Sequence, residues 1–197
     1  MQFWIITGGA ASGKSRFCEM LARLQPGTLV FSSDEEVHRC LASPEIAARV
    51  AALFGAGFVS ADASIDRAKL RDLVFKDSGA RRELERLLHP MVFAGMKAQL
   101  LAARAKAANL FLAEVPLFFE SGGEVESDLT VVVAAQVQFQ SQRIVDKRGL
   151  TDLAAARIIQ AQLPLESKIA LAGAVVWNEG DPRLLEMQAE FLLQQLP

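Results

Sequence analysis

The sequence predicts an α/β fold: a five-stranded parallel sheet flanked by helices. Three observations predict it. Five short apolar runs rich in β-branched or aromatic residues recur along the 197 residues. Segments with helical apolar spacing separate them, the alternation that makes strands run parallel with both faces covered. The first run stops at a glycine-rich turn, where a strand hands over to a helix.

Residues 3–7 form the first strand, ending at Gly8-Gly9. Residues 15–24 place Phe17, Met20, Leu21 and Leu24 at helical spacing, and Pro26-Gly27 ends that helix. A second strand spans 28–31, and Ser32-Ser33-Asp34 caps a helix from about Glu35. From 42 to about 109 the pattern is almost entirely helical. Pro44 suits a first turn, and residues 54–57 break the pattern. Helices follow at about 66–75 and 79–88. His89-Pro90 is expected to interrupt, because a residue before proline is pushed out of helical geometry. An alanine-rich helix resumes over 91–108.

Three more strands, at 110–115, 130–134 and 174–177, are separated by helices at about 137–147, 153–160 and 166–171. A last helix opens at Asp181-Pro182 and places Leu184, Leu185, Gln188, Phe191 and Leu192 on successive turns. The stretch 42–108 is too long for one crossover. It predicts a helical insertion into a single domain whose core is 1–41 and 109–197.

Composition narrows the class. Apolar residues make up 51% and charged residues 22%, enough for a core and too apolar for disorder. A net charge of −2 argues against a nucleic-acid or polybasic membrane binder. Cys18 and Cys40 form no CxxC pair and no disulfide scaffold, and with His38 and His89 they lack zinc-ligand spacing. No apolar run is long enough to span a bilayer and no signal peptide is present, so a cytoplasmic protein is expected.

Residues 8–15, GGAASGKS, match G-x-x-x-x-G-K-[ST] at every fixed position, between the first strand and the first helix. The glycines let the backbone wrap with its N–H groups inward, and those donors and the positive helix end hold a polyphosphate. Gly9, Ala11, Ser12, Gly13, Lys14, Ser15 and Arg16 are the nucleotide-binding candidates. Lys14 reaches the β- and γ-phosphates, and the Ser15 hydroxyl is a Mg²⁺ ligand. The motif alone does not separate kinase, ATPase and GTPase, although no separate guanine-reading motif is visible.

Phosphoryl transfer also needs an oriented acceptor, a metal and cations. Asp34, after the second strand, is the candidate base, and also a helix cap. Glu114, ending the third strand, is a candidate acid behind Mg²⁺, and Glu120 is similar. Arg143, Lys147 and Arg148 lie near one helix face, either closing over phosphates or solvated. The basic residues between Arg67 and Lys97 are interleaved with acids, so surface pairing and anion binding both stay open.

Several motifs together resemble the dephospho-coenzyme A kinase family over nearly the whole chain. Residues 7–15 resemble its T-G-G-x-x-S-G-K-S, and 33–38 its D-x-D-x-x-x-[RH] stretch. Residues 65–71 with Val74-Phe75 resemble D-R-x-x-L-R-x-x-V-F, Leu84 to His89-Pro90 the L-x(4)-HP segment, and 115–120 V-P-L-L-F-E. Gln140, Arg143, Arg148, Gln162 and Asn178 continue its C-terminal pattern.

The resemblance implies a P-loop core, a helical substrate-binding region and a small lid at 136–163. It implies ATP- and Mg²⁺-dependent phosphorylation of the ribose 3′-hydroxyl of 3′-dephospho-coenzyme A. Asp34 matches the family base, Arg143 a lid arginine on the ATP phosphates, and Asn178 an adenine contact. Arg67, Arg71, His89 and Glu120, with Asp34, are then the expected substrate contacts. The chain departs at Ser32 for the first acid, Arg16 for a threonine, Gly173 for an acid and Ala63 for a glycine. Another small P-loop nucleotide or metabolite kinase, and a nucleotide-binding homologue with weakened catalysis, remain the alternatives.

Overall fold

A computed structural model describes residues 1–122 and 125–196. The chain divides into two compact units, 1–32 with 100–197 and 33–99.

The first unit contains the sheet. Its strands are β1 (Gln2–Gly8), β2 (Thr28–Ser32), β3 (Leu110–Glu114), β4 (Leu129–Ala134) and β5 (Ala174–Trp177), all parallel in the order β2-β3-β1-β4-β5. The five expected strands are therefore present, with ends shifted by one residue at most. Alternation along them builds the core. Trp4, Ile6, Leu110, Leu112, Val131, Val133 and Val176 all point to one face. There they meet Phe17, Cys18 and Leu21 of α1 (Lys14–Leu24) and Leu185 and Ala189 of α9 (Pro182–Gln194). Phe3, Ile5, Phe111 and Ala113 are buried on the other side.

Between β4 and β5 run α6 (Val137–Arg148), α7 (Asp152–Gln160) and α8 (Leu165–Ala170). Thr151 caps α7 by accepting from Ala154 N–H, and Asp181 caps α9 by accepting from Arg183 N–H, with Pro182 at the first helical position as expected. At the outer edge of β5, the Gln188 side chain of α9 accepts from Trp177 N–H at 2.8 Å and donates to Trp177 C=O at 2.9 Å.

The second unit comprises α2 (Ser33–Cys40), α3 (Pro44–Phe54), a 3₁₀ turn (Ala56–Phe58), α4 (Arg67–Lys76) and most of α5 (Ser78–Ala105). Its boundaries fall at residues 33 and 99, where the sequence suggests 42 and 108. The reason is packing: Cys40 is buried with Ile46, Val50, Leu70, Leu87 and Leu88, and Val37 and Leu41 rest on that cluster. So α2 shares its core with the helices that follow it.

The expected break at His89-Pro90 does not occur, because α5 runs through Pro90 without interruption. Proline removes one ladder donor and crowds the preceding turn, at a cost of about 3 kcal/mol. Leu88, Val92 and Met96, four residues apart, are buried along one stripe across that point, with Leu87 beside them. Each buried side chain contributes about 1.5–3 kcal/mol, so the stripe outweighs the lost bond. Ala63, standing where the resembling family has glycine, adopts a left-handed φ of 62°. That is a region glycine occupies at less steric cost than alanine.

Candidate active site

The chain leaves β1 for β2 toward one edge of the sheet and leaves β3 for β4 toward the other. The crevice of such a sheet opens at the carboxyl ends of the two strands where direction changes, here β1 and β3. The glycine-rich loop stands at this point.

The sequence at 8–15 folds as a loop because its glycines are irreplaceable. A β-carbon at Gly8 (φ 141°) would fall 2.2 Å from the Val133 carbonyl oxygen. At Gly13 (φ 98°) it would fall 2.0 Å from Asn178 Nδ2. Gly13 is the N-cap of α1, so the first-turn N–H groups of α1 open toward the loop's concavity, with the positive end of the helix dipole behind them. Lys14 is buried, and its Nζ donates to the carbonyls of Gly9 at 2.8 Å and Gly8 at 3.3 Å. Ser15, exposed beside it, donates from Oγ to Glu114 Oε1 at 2.7 Å. That hydroxyl and carboxylate form a hard-oxygen pair that fits Mg²⁺, which takes one or two protein oxygens and completes its shell from phosphates and water. Among the described residues no group of three or more His, Cys, Asp and Glu gathers for a metal. A phosphate-completed site therefore suits the chain better than a protein cage.

Three side chains outside the loop hold its shape. Arg143 of α6 donates from Nη1 to Ala11 C=O at 3.2 Å and from Nη2 to Asn178 C=O at 2.6 Å. Asn178, just past β5, donates from Nδ2 to Ser12 C=O at 2.7 Å. Gln162, between α7 and α8, accepts from Ala10 N–H at 2.8 Å. Ser12 Oγ is buried without a hydrogen-bond partner. A cavity of about 710 Å³ beside the loop is lined by Gly9, Gln136, Gln140, Gln162, Lys168 and Trp177 among others.

The structure thus brings together Gly9, Ala11, Ser12, Gly13, Lys14, Ser15, Glu114, Arg143 and Asn178. Arg16 is exposed on α1, and Lys147 and Arg148 are exposed in the last turn of α6. Glu120 pairs through Oε1 with Lys168 Nζ at 2.9 Å and accepts from Leu163 N–H at 3.0 Å. Asp34, Arg67, Arg71 and His89 belong to the second unit. Asp34 lies in the first turn of α2, Arg67 donates to His38 C=O at 3.1 Å, Arg71 is exposed and His89 is half-buried within α5. Interleaved acids pair part of the basic stretch, as Arg81 with Glu85 at 3.6 Å and Arg86 with Glu83.

Lys168 is the residue sequence reasoning missed. It is fully buried. Its one signal is spacing: it falls three residues after Leu165, on the helix side that should be apolar. Cys18, under the site, is held neutral: burial pushes its thiol well above the ordinary range, and the Glu114 carboxylate adds to this. Burial and Glu36 push Cys40 the same way. Both cysteines are free and buried.

A family model described as dephospho-CoA kinase matches residues 4–183. The dephospho-CoA kinase of Bordetella parapertussis is 39% identical over 194 residues, covering 95% of this chain and 87% of that one. Among solved structures, a Thermus thermophilus protein superposes with a TM-score of 0.78 at 29% identity, covering 100% and 98% of the two chains. The dephospho-CoA kinase of Campylobacter jejuni superposes at 0.63 and 22% identity, covering 99% and 97%, a likeness of fold.

Proposed function

This chain belongs to the dephospho-CoA kinase family, and from that premise we propose how its residues carry the ATP-dependent phosphorylation of dephospho-CoA to CoA. The observation that supports the reading best is the convergence of Lys14, the Ser15–Glu114 pair and Arg143 on one loop at the sheet's crevice.

The triphosphate of ATP lies in the loop at 8–15, its oxygens on main-chain N–H groups and the amino end of α1. Lys14 exchanges the Gly8 and Gly9 carbonyls for β- and γ-phosphate oxygens. Ser15, with Glu114 behind it, would hold Mg²⁺, which would supply charge neutralisation for the phosphates. Arg143 adds a fixed cation from α6, and Asn178 keeps the loop and β5 end in register for the adenine side. The ribose 3′-oxygen attacks the γ-phosphorus. The bond from that phosphorus to the β–γ bridging oxygen breaks, ADP leaves, and the hydroxyl proton passes to Asp34. Asp34 carries this role by its match to the family base. Arg67, Arg71, His89 and Glu120 are the substrate contacts the same match suggests. A cytoplasmic location suits two free, buried cysteines.

The test is an ADP-release assay with dephospho-CoA, nucleoside monophosphates and shikimate as competing acceptors. Turnover confined to dephospho-CoA is expected. Transfer to another acceptor alone, or no transfer even in a single turnover, would overturn the reading. Asp34→Asn is expected to bind ATP normally and lose kcat by two orders of magnitude or more. Wild-type kcat in that variant would remove Asp34 as base.

Ser32 pairs in register with Glu114 across β2 and β3. The acid found there in the resembling family would set a second carboxylate beside Glu114. Its replacement leaves Glu114 with less like-charge repulsion.

A further inference from the structure

We propose that Lys168 is a positioning residue for phosphoryl transfer, holding the Gly8 carbonyl when Lys14 leaves it for the phosphates. The proposal rests on the kinase reading above, in which Lys14 serves the triphosphate.

The Gly8 carbonyl accepts from two ammonium groups, Lys14 Nζ at 3.3 Å and Lys168 Nζ at 3.5 Å. A buried carbonyl stripped of its donors loses the hydrogen bonds that repaid its removal from water. That loss falls on Lys14's departure unless another donor remains. Lys168 is that donor, and its ammonium lies against the same oxygen as the ammonium that must move. Two cations on one oxygen also repel, which favours release of the one that has phosphate oxygens to go to.

Lys168 is held for this task. Its Nζ is fixed by Glu120 Oε1 at 2.9 Å, and the same oxygen accepts from Leu163 N–H at 3.0 Å. The neighbouring Gln162 accepts from Ala10 N–H at 2.8 Å. The loop is therefore gripped twice from this side, at a carbonyl by Lys168 of α8 and at an amide by Gln162 of the turn before it. A fully buried lysine is expensive unless paired, and replacing such a pair with apolar groups is often neutral or stabilising. Stability alone gives little reason for this lysine, whereas a donor beneath the moving Lys14 does.

The experiment compares Lys168→Met, Lys168→Arg and the double variant Glu120→Gln with Lys168→Met, by steady-state kinetics and thermal unfolding. Lys168→Met strands the Glu120 charge, so its unfolding temperature falls. The double variant removes that charge and recovers the temperature. The expected result is a kcat about tenfold or more below wild type in both, and in Lys168→Met, which leaves Glu120 in place, a KM for dephospho-CoA within about threefold of wild type. Lys168→Arg, which keeps a cation, is expected to retain more kcat than Lys168→Met. If kcat recovers together with the unfolding temperature, the pair is only structural and the proposal fails. In Lys168→Met, a raised KM with intact kcat makes Lys168 a substrate contact, and the proposal fails equally. Wild-type turnover is the reference: without it the kinase reading falls, whereas an active wild type with an equally active double variant removes only the role of Lys168.

Discussion

Cys18 shows how a side chain with no part in the chemistry still leaves a mark on the protein's behaviour. Its thiol sits in the core against Phe17 and Leu21, and burial, with Glu114 second, raises its pKa above that of an exposed cysteine. The folded state therefore keeps a proton that the unfolded chain releases above about pH 8.5. Its contribution to stability is fully present below that pH and is lost as pH rises further. Urea unfolding at pH 7, 8, 9 and 10 is expected to show stability declining on the alkaline side. Cys18→Ala is expected to be less stable at pH 7, through a lost core contact, but with a shallower alkaline decline. An unchanged slope would assign the decline to other groups. At this same scale the loop was legible in the sequence, because glycines, lysine and serine at fixed offsets state their own requirement. Lys168 was not. A lysine looks alike in sequence whether it is solvated or buried, and only the partner 48 residues away, Glu120, makes the difference.

At the scale of elements, strands were easier to read than helix ends. The three central strands, largely buried, leave apolar runs with little ambiguity; Ala174–Trp177 stands where it was read, and Leu110–Glu114 ends one residue earlier. The α5 helix was misread because a local rule about proline lost to a tertiary stripe on both sides of it. Pro90 is exposed, so an alanine there would restore a ladder donor without touching the core. Pro90→Ala is expected to stabilise the chain by about 1–3 kcal/mol, measured by chemical denaturation. A loss of stability would mean that the proline ring is itself a packing element. The placement of α2 was also illegible, because nothing local shows that Cys40 joins the later helices.

Across the whole molecule, the first unit is organised so that ligand binding and stability are linked. The loop meets α6, the α7–α8 turn and α8 through Arg143, Gln162 and Lys168 in turn, each bonded to main-chain atoms of the loop. A ligand that binds only the folded loop at one hundred times its Kd stabilises by about 2.7 kcal/mol. For a chain of this size that amounts to a rise in Tm of about 5–10 °C. ATP with Mg²⁺ is expected to produce such a rise, a chelator to reduce it, and Lys14→Ala to abolish most of it, all measured by thermal unfolding. No rise in the wild type would contradict nucleotide binding at this loop.

The amide of Gln188 has a consequence beyond the enzyme's turnover. A strand at the rim of a sheet offers its unused peptide groups to any neighbouring molecule, and growth from such a rim is a route to fibrils. By donating to and accepting from Trp177 at once, Gln188 imitates a sixth strand one residue long. One residue's peptide groups at that rim are thereby taken up within the chain, at a residue that a survey of catalytic groups would pass over.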